Sequence, residues 1–314
     1  MSTADLILAV VAIGCIPAAS ALATASWPRR SPVAAILLWQ ALGLSWGLAA
    51  VGALVGFAVT GSGAAIGTGA LGRLVSLARA ADPADLAAAI GPARVACLAA
   101  GLLLLGVLCW ILVAATASVL RARQRQRELL RLLARGDPKV PGALVVDHPA
   151  AAAYCLPGLR PEIVISAGAL DLLDAHELAA VLAHERAHLR ERHDLVLLPF
   201  LALLRAFSWA GVATGAYRAV ALLLEMHADD RVLRQLPGRE LATALLRVGA
   251  AGGGGVPAGA LAMAGPQVEC EIAARVIRLL RPPPVLGGAA TSLVLFLSTV
   301  LVAGPAILLM LPLR

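Results

Sequence analysis

Four stretches of this chain carry no charged residue and are long enough to cross a bilayer: Leu6 to Trp27, Val33 to Val59, Val95 to Leu120 and Pro282 to Leu313. A hydrocarbon core about 30 Å thick is crossed by roughly 20 apolar residues as a helix, because a helix satisfies its own backbone hydrogen bonds where there is no water. This feature limits the fold more than any other. Composition agrees, with 60% hydrophobic residues, 14% charged residues and a mean hydropathy of +0.85, values that an ordinary soluble domain does not show. The expected class is mostly α: a polytopic membrane protein with four transmembrane helices and a polar part between the third and the fourth. A signal peptide would begin with basic residues, whereas Asp5 precedes the first apolar run, so a retained span is expected.

Charge sets the expected orientation. Arg29 and Arg30 follow the first span, Arg121, Arg123, Arg125, Arg127, Arg131, Arg135 and Lys139 follow the third, and Arg275, Arg278 and Arg281 precede the fourth. The positive-inside rule places these ends in the cytoplasm and the amino terminus, the 61–94 connection and Arg314 outside. That connection holds the glycine-rich run Gly61 to Gly69, then Arg73, Arg79, Asp82, Asp85 and Arg94, with room for one short helix. Anionic lipid is a better counterpart of the arginine run than nucleic acid, so the net charge of +7 points to retained loops and no direct nucleic-acid partner. Lys139 is the only lysine among 26 basic residues, a bias of GC-rich coding that fits a bacterial plasma membrane. Cys15, Cys97, Cys109, Cys155 and Cys270 form no disulfide framework, and a reducing compartment is expected for the polar part.

The domain boundaries that follow are a membrane domain over 1–120 (spans at about 6–27, 33–59 and 95–120), a cytoplasmic domain over 121–281, and a fourth span over 282–314. Within the polar part, Gly136-Asp137-Pro138 breaks the arginine-rich helix. Ala143 to Asp147 and Glu162 to Ser166 read as two short strands, and Ser166 caps a short helix through Leu173. Asp174 and Glu177 then form a capping box ahead of an apolar stripe of Leu178, Val181 and Leu182. The helix they start carries His184-Glu185-Arg186-Ala187-His188. Positions i and i+4 lie on one face about 6 Å apart along the axis, so two imidazoles can reach one tetrahedral zinc beside Glu185. Such a motif also arises by chance as a pair of surface histidines. The apolar pieces Leu195 to Leu204 and Ala206 to Tyr217 are too short to span. Gly252 to Gly255 with Pro257 reads as a loop and Glu269 to Leu280 as a charged helix.

Two histidines leave zinc one protein ligand short, and Glu225 in Glu225-Met226-His227-Ala228-Asp229 is the candidate. A glutamate and an aspartate one turn apart, placed after the two histidines, resemble the gluzincin arrangement. That resemblance implies Glu225 as third ligand and Asp229 as the carboxylate orienting a ligand imidazole. A metzincin site needs Gly at 191 and His at 194, where this chain has Glu and Asp. His193 and His227 fall off the ligand faces and read as solvated or core histidines.

With Ala153-Tyr-Cys-Leu-Pro-Gly158, Ile163-Val-Ile-Ser166, Glu177 to His188, Glu225 to Asp229 and Arg275-Val-Ile-Arg-Leu-Leu280 in place, the chain resembles the BlaR/MecR-type membrane metallopeptidases. The resemblance implies a cytoplasmic gluzincin-type α+β domain, a small sheet plus the HExxH helix, holding one Zn2+ per chain. The implied activity is hydrolysis of a peptide bond in a cytoplasmic protein, a winged-helix repressor of the BlaI/MecI type, as part of an antibiotic response. Relatives that sense β-lactams carry an extracellular penicillin-binding domain after the fourth span. None follows Arg314, so a short form is expected. In this scheme His184, His188 and Glu225 hold zinc, Glu185 takes a proton from water, and Tyr217, His227 and His148 remain open as oxyanion donors. A sheet edge beside a gluzincin helix receives substrate as an added strand, which makes Ile163, Val164 and Ile165 candidates for backbone contacts, with a structural hairpin as the equal alternative. An HtpX-like quality-control protease and a zinc-stabilised membrane scaffold are the rival readings, and a homodimer is left open.

Overall fold

A computed structural model describes residues 2–60, 72, 91–136, 140–158, 160–251 and 266–310. The fold is mostly helical with one small mixed sheet, and it packs as two compact units. One comprises Met1–Val113, Ala206–Ala216 and Leu286–Arg314; the other comprises Ala114–Arg205 and Tyr217–Val285.

The first unit is built on helices α1 (Thr3–Thr24) and α2 (Pro32–Val59), the amino-terminal half of α3 (Pro92–Leu133) and the helix Gly288–Met310. These are the four helices among the described residues that are long and apolar enough to cross a membrane. Helix α1 starts at a capping box in which the Ser2 hydroxyl accepts from the Asp5 amide and the Asp5 carboxylate accepts from the Ser2 amide. It ends at Thr24, three residues short of the expected boundary. The chain instead makes a 3-10 turn over Trp27–Arg30, where Pro28 sits in the first turn and restricts the residue before it. Small residues let α1 and α2 approach, with Ala12, Ala49 and Leu8 buried together. Ile13, Leu103, Trp110 and Phe296 are more than 60% exposed, an apolar exterior that suits lipid and would be costly in water. The expected short helix within 61–94 falls mainly outside the described residues, as do Lys139, the Gly252–Pro257 loop and Arg314.

Two expectations about the sheet need correction. Four strands are present where two were expected: β1 (Ala134–Gly136), β2 (Ala143–Val146), β3 (Ala153–Leu156) and β4 (Glu162–Ser166), in the order β1-β2-β4-β3. The arginine-rich helix therefore gives way to a strand already at Ala134. Furthermore, β2 and β4 run parallel, while β3 pairs antiparallel with β4. Ile163, Val164 and Ile165 thus lie in a central strand whose backbone is engaged on both sides. They cannot offer an edge to an added strand, and among the described residues the outermost strand on that side is β3. Both faces of β4 are also covered. Ile163 and Ile165 pack with Ala169 and Leu182, and Val164 packs with Leu130 and Leu156.

After the sheet come α4 (Ala167–Leu172), α5 (Ala175–Glu191), α6 (His193–Ala206) and α7 (Gly211–Leu233). An additional helix not expected from the sequence, α8 (Gly238–Ala250), then packs on α9 (Pro266–Leu280) and α5. Leu241, Ala242, Val276, Leu279, Ala180 and Val232 are buried together. The final apolar helix is α10. Ser166 caps α4 by accepting from the Ala169 amide and also accepts from the Ala152 amide, which ties the β3 entry to the end of β4. Gly168 lies so close to this joint that an added Cβ would stand 2.0 Å from the Pro149 carbonyl oxygen. Because backbone would have to move, Gly168→Ala is expected to destabilise the sheet unit by about 1–3 kcal/mol, measured as a lower thermal midpoint of the detergent-solubilised chain.

Candidate metal centre

Helix α5 is held at its start by reciprocal caps. Asp174 accepts from the amides of His176 and Glu177, and Glu177 accepts from the Asp174 amide. Glu177 is buried and would be an uncompensated charge were it not paired with Arg247 of α8 at 2.9 Å. One rigid helix therefore presents His184 and His188 on the same face. Helix α7 supplies Glu225 and, one turn on, Asp229.

Three of the expected ligands come together. His184 Nε2 and His188 Nε2 are 3.0 Å apart, Glu225 Oε2 is 3.2 Å from His184 Nε2, and Glu225 Oε1 is 3.4 Å from His188 Nε2. Bonds of about 2.0–2.1 Å to a tetrahedral zinc would separate neighbouring donor atoms by about 3.3–3.4 Å, so this donor set fits the ion in number, chemistry and spacing. Electrostatics favour a cation as well. Burial opposes charge on His184, but Asp229 and Glu225 outweigh it and raise its pKa to about 9. Burial would raise the Glu225 carboxyl, yet His188 and Arg275 hold it well below the usual carboxylate range.

Around these ligands lies a ring of supporting groups. Asp229, fully buried, places Oδ1 3.1 Å from His184 Nδ1, an ion-pair distance on the side of the imidazole away from Glu225. His188 Nδ1 meets His193 Nδ1 at 2.8 Å. Burial, followed by the nearby His188 and His227, drops the His193 pKa to about 3, so His193 is neutral and can accept from His188. This contact depends on Arg192, whose φ of 51° ends α5 in the left-handed region and starts α6 at once, turning His193 back onto the ligand helix. His193 is thus a core histidine that touches a ligand, a role that helical-face geometry alone does not reveal.

The other expected site residues differ in what they touch. Glu185 is partly buried, which raises its pKa, and it neighbours the Cys155 thiol on the β3 edge. His227 joins the cluster through His193, with ring centroids 5.4 Å apart, and through Glu191. His148 is exposed and accepts from the Ala150 amide, while Tyr217 is half-buried on α7. Arg275 of α9, in sequence a marker of topology and the first residue of a motif that carries the family resemblance, is a member of the site. It donates to both oxygens of Asp229 at 2.8 and 2.9 Å and lies 2.9 Å from Glu225 Oε2. Arg278 pairs with Asp230, so two of the three arginines ahead of the last span are already engaged by carboxylates.

No curated protein and no solved structure matches the chain. Residues 119–246 match the family model described as Peptidase family M48, a segment that contains His184, Glu185, His188, Glu225 and Asp229, and the match supports a zinc metalloprotease.

Proposed function

We propose that this protein is a membrane-bound zinc metalloendopeptidase that cleaves a cytoplasmic protein. The observation that carries the reading is the convergence of His184, His188 and Glu225 donor atoms, all within 4.8 Å of one another, with Glu185 adjoining the first ligand. Bound there, zinc supplies Lewis acidity toward a peptide carbonyl and lowers the pKa of water. Glu185 is placed to take a proton from the attacking water as its oxygen adds to the peptide carbonyl, and to return that proton to the amine as the C–N bond breaks. Asp229 and His193 hold the two imidazoles in place. The β3 edge, Ala153–Leu156, offers the substrate backbone a partner strand beside α5.

The arginines between Arg121 and Arg135 favour placing the peptidase unit on the cytoplasmic side, with the amino terminus outside. As substrate we assign a winged-helix repressor of the BlaI/MecI type, on the resemblance of the motifs to the BlaR/MecR group. The test is cleavage by the purified full chain in lipid vesicles. We expect one zinc per chain, loss of cleavage with a chelator, recovery with zinc, and one shortened repressor in the cytoplasmic proteome. Many shortened membrane proteins would favour the HtpX-like reading, and a metal-free, chelator-indifferent preparation would leave only a scaffold.

A further inference from the structure

We infer that Arg275, on α9, is a positioning residue that sets the geometry of the metal ligands by bridging two carboxylates with one guanidinium. The inference rests on the zinc-peptidase reading and adds to it a residue beyond the segment matched by the family model.

Arg275 is 9% exposed, so its charge has been taken out of water and is matched within the protein. Nε donates to Asp229 Oδ2 at 2.9 Å and Nη2 to Asp229 Oδ1 at 2.8 Å, a forked pair. Nη1 reaches Glu225 Oε2 at 2.9 Å. The two carboxylates stand one turn apart on α7 and both address His184: Asp229 from the Nδ1 side at 3.1 Å, Glu225 from the Nε2 side at 3.2 Å. Left alone, these two anions would repel each other and each would have alternative rotamers. A planar group bonded to both fixes their separation and hence the angle at which Glu225 meets the imidazoles. Because Arg275 engages Oε2, Oε1 is the oxygen left to face His188, 3.4 Å from its Nε2. A lysine could neutralise this site but could not span it, since its ammonium is a point donor on a flexible stem.

The expected results follow from that geometry. In the full chain purified in detergent, zinc affinity is measured by competition with a chromophoric chelator, and the Co2+-substituted protein is examined by its visible absorption. Supporting groups around metal ligands alter affinity by about 10–100-fold, so Arg275→Lys is expected to weaken zinc binding about tenfold and Arg275→Met about a hundredfold. The cobalt bands should shift in both while circular dichroism keeps the helical content. Folded Arg275→Lys protein with wild-type zinc affinity and an unchanged cobalt spectrum would overturn the inference. So would failure of the lysine variant to fold, which would make Arg275 a structural charge only. Wild-type and His184→Ala proteins are titrated alongside. If the wild type takes up no zinc, it is the peptidase reading that fails. If it binds one zinc and the lysine variant matches it, only the role of Arg275 fails.

Discussion

Glu185→Gln is expected to retain one zinc per chain and to lose peptide hydrolysis by about 100- to 10,000-fold, the usual contribution of a positioned general base. Glutamine keeps the size and one hydrogen-bonding oxygen of the glutamate but cannot take a proton. Glu185 lies outside the ligand set formed by His184, His188 and Glu225, so metal content should not change. Assay of cleavage together with metal analysis of the same preparation separates the two effects. Cleavage at the wild-type rate would remove the mechanism. Loss of zinc would show that Glu185 supports the ligands more directly than its position beside the Cys155 thiol implies.

The largest effect on stability is expected at Asp229. Its carboxyl is pressed upward by burial, but Arg275 and His184 hold it below the ordinary aspartate range. A depressed carboxyl contributes stability that is complete above its unfolded pKa, about 3.9, and is lost as pH falls through the lower folded value. The pair therefore persists throughout neutral and mildly acidic conditions. Asp229→Ala removes both acceptors of the Arg275 fork and leaves a buried guanidinium with Glu225 alone. Breaking a buried pair from one side costs about 3–5 kcal/mol. For a domain of this size that is a drop of roughly 6–20 °C in Tm, to be measured with metal removed so that lost zinc stabilisation does not contribute. A Tm within about 2 °C of the wild type would mean that water compensates Arg275 and that the site is far wetter than its burial indicates.

The four apolar spans are legible in the sequence because a charge-free run of membrane length is rare in a helix that packs in water, and the ligand pair is legible because i and i+4 define a face. The sheet is legible only in part. Ala134-Arg-Gly136 contains no β-branched residue, and Ala153 to Leu156 runs into Pro157-Gly158, which reads as a turn. Without β3, β4 has no visible second neighbour, so Ile163 to Ile165 look like an edge when they are central. His193 escapes the helical-face argument because that argument carries one helix past position 191, whereas the left-handed Arg192 redirects the chain. Arg275 is hidden because its partner Asp229 is 46 positions away and belongs to another helix, a pairing no local pattern reveals. Its spacing from Arg278 does hold a hint, since both arginines lie on one face of an amphipathic helix and meet adjacent aspartates.

If β3 receives the substrate as proposed, its four-residue length limits how firmly a peptide can be gripped. An outer strand turns about half of its amides and carbonyls outward, so a guest segment gains only a few hydrogen bonds of about 0.5–1.5 kcal/mol each. Two to four such bonds total about 1–6 kcal/mol, which reaches only the low end of the roughly 4–15 kcal/mol lost when two free molecules associate. A short soluble peptide should therefore be a poor competitor even if its sequence is ideal. A protein kept at the membrane surface would meet the same strand edge at a much higher effective concentration and be processed well. Selectivity would then reside less in the residues flanking the scissile bond than in where the target is confined.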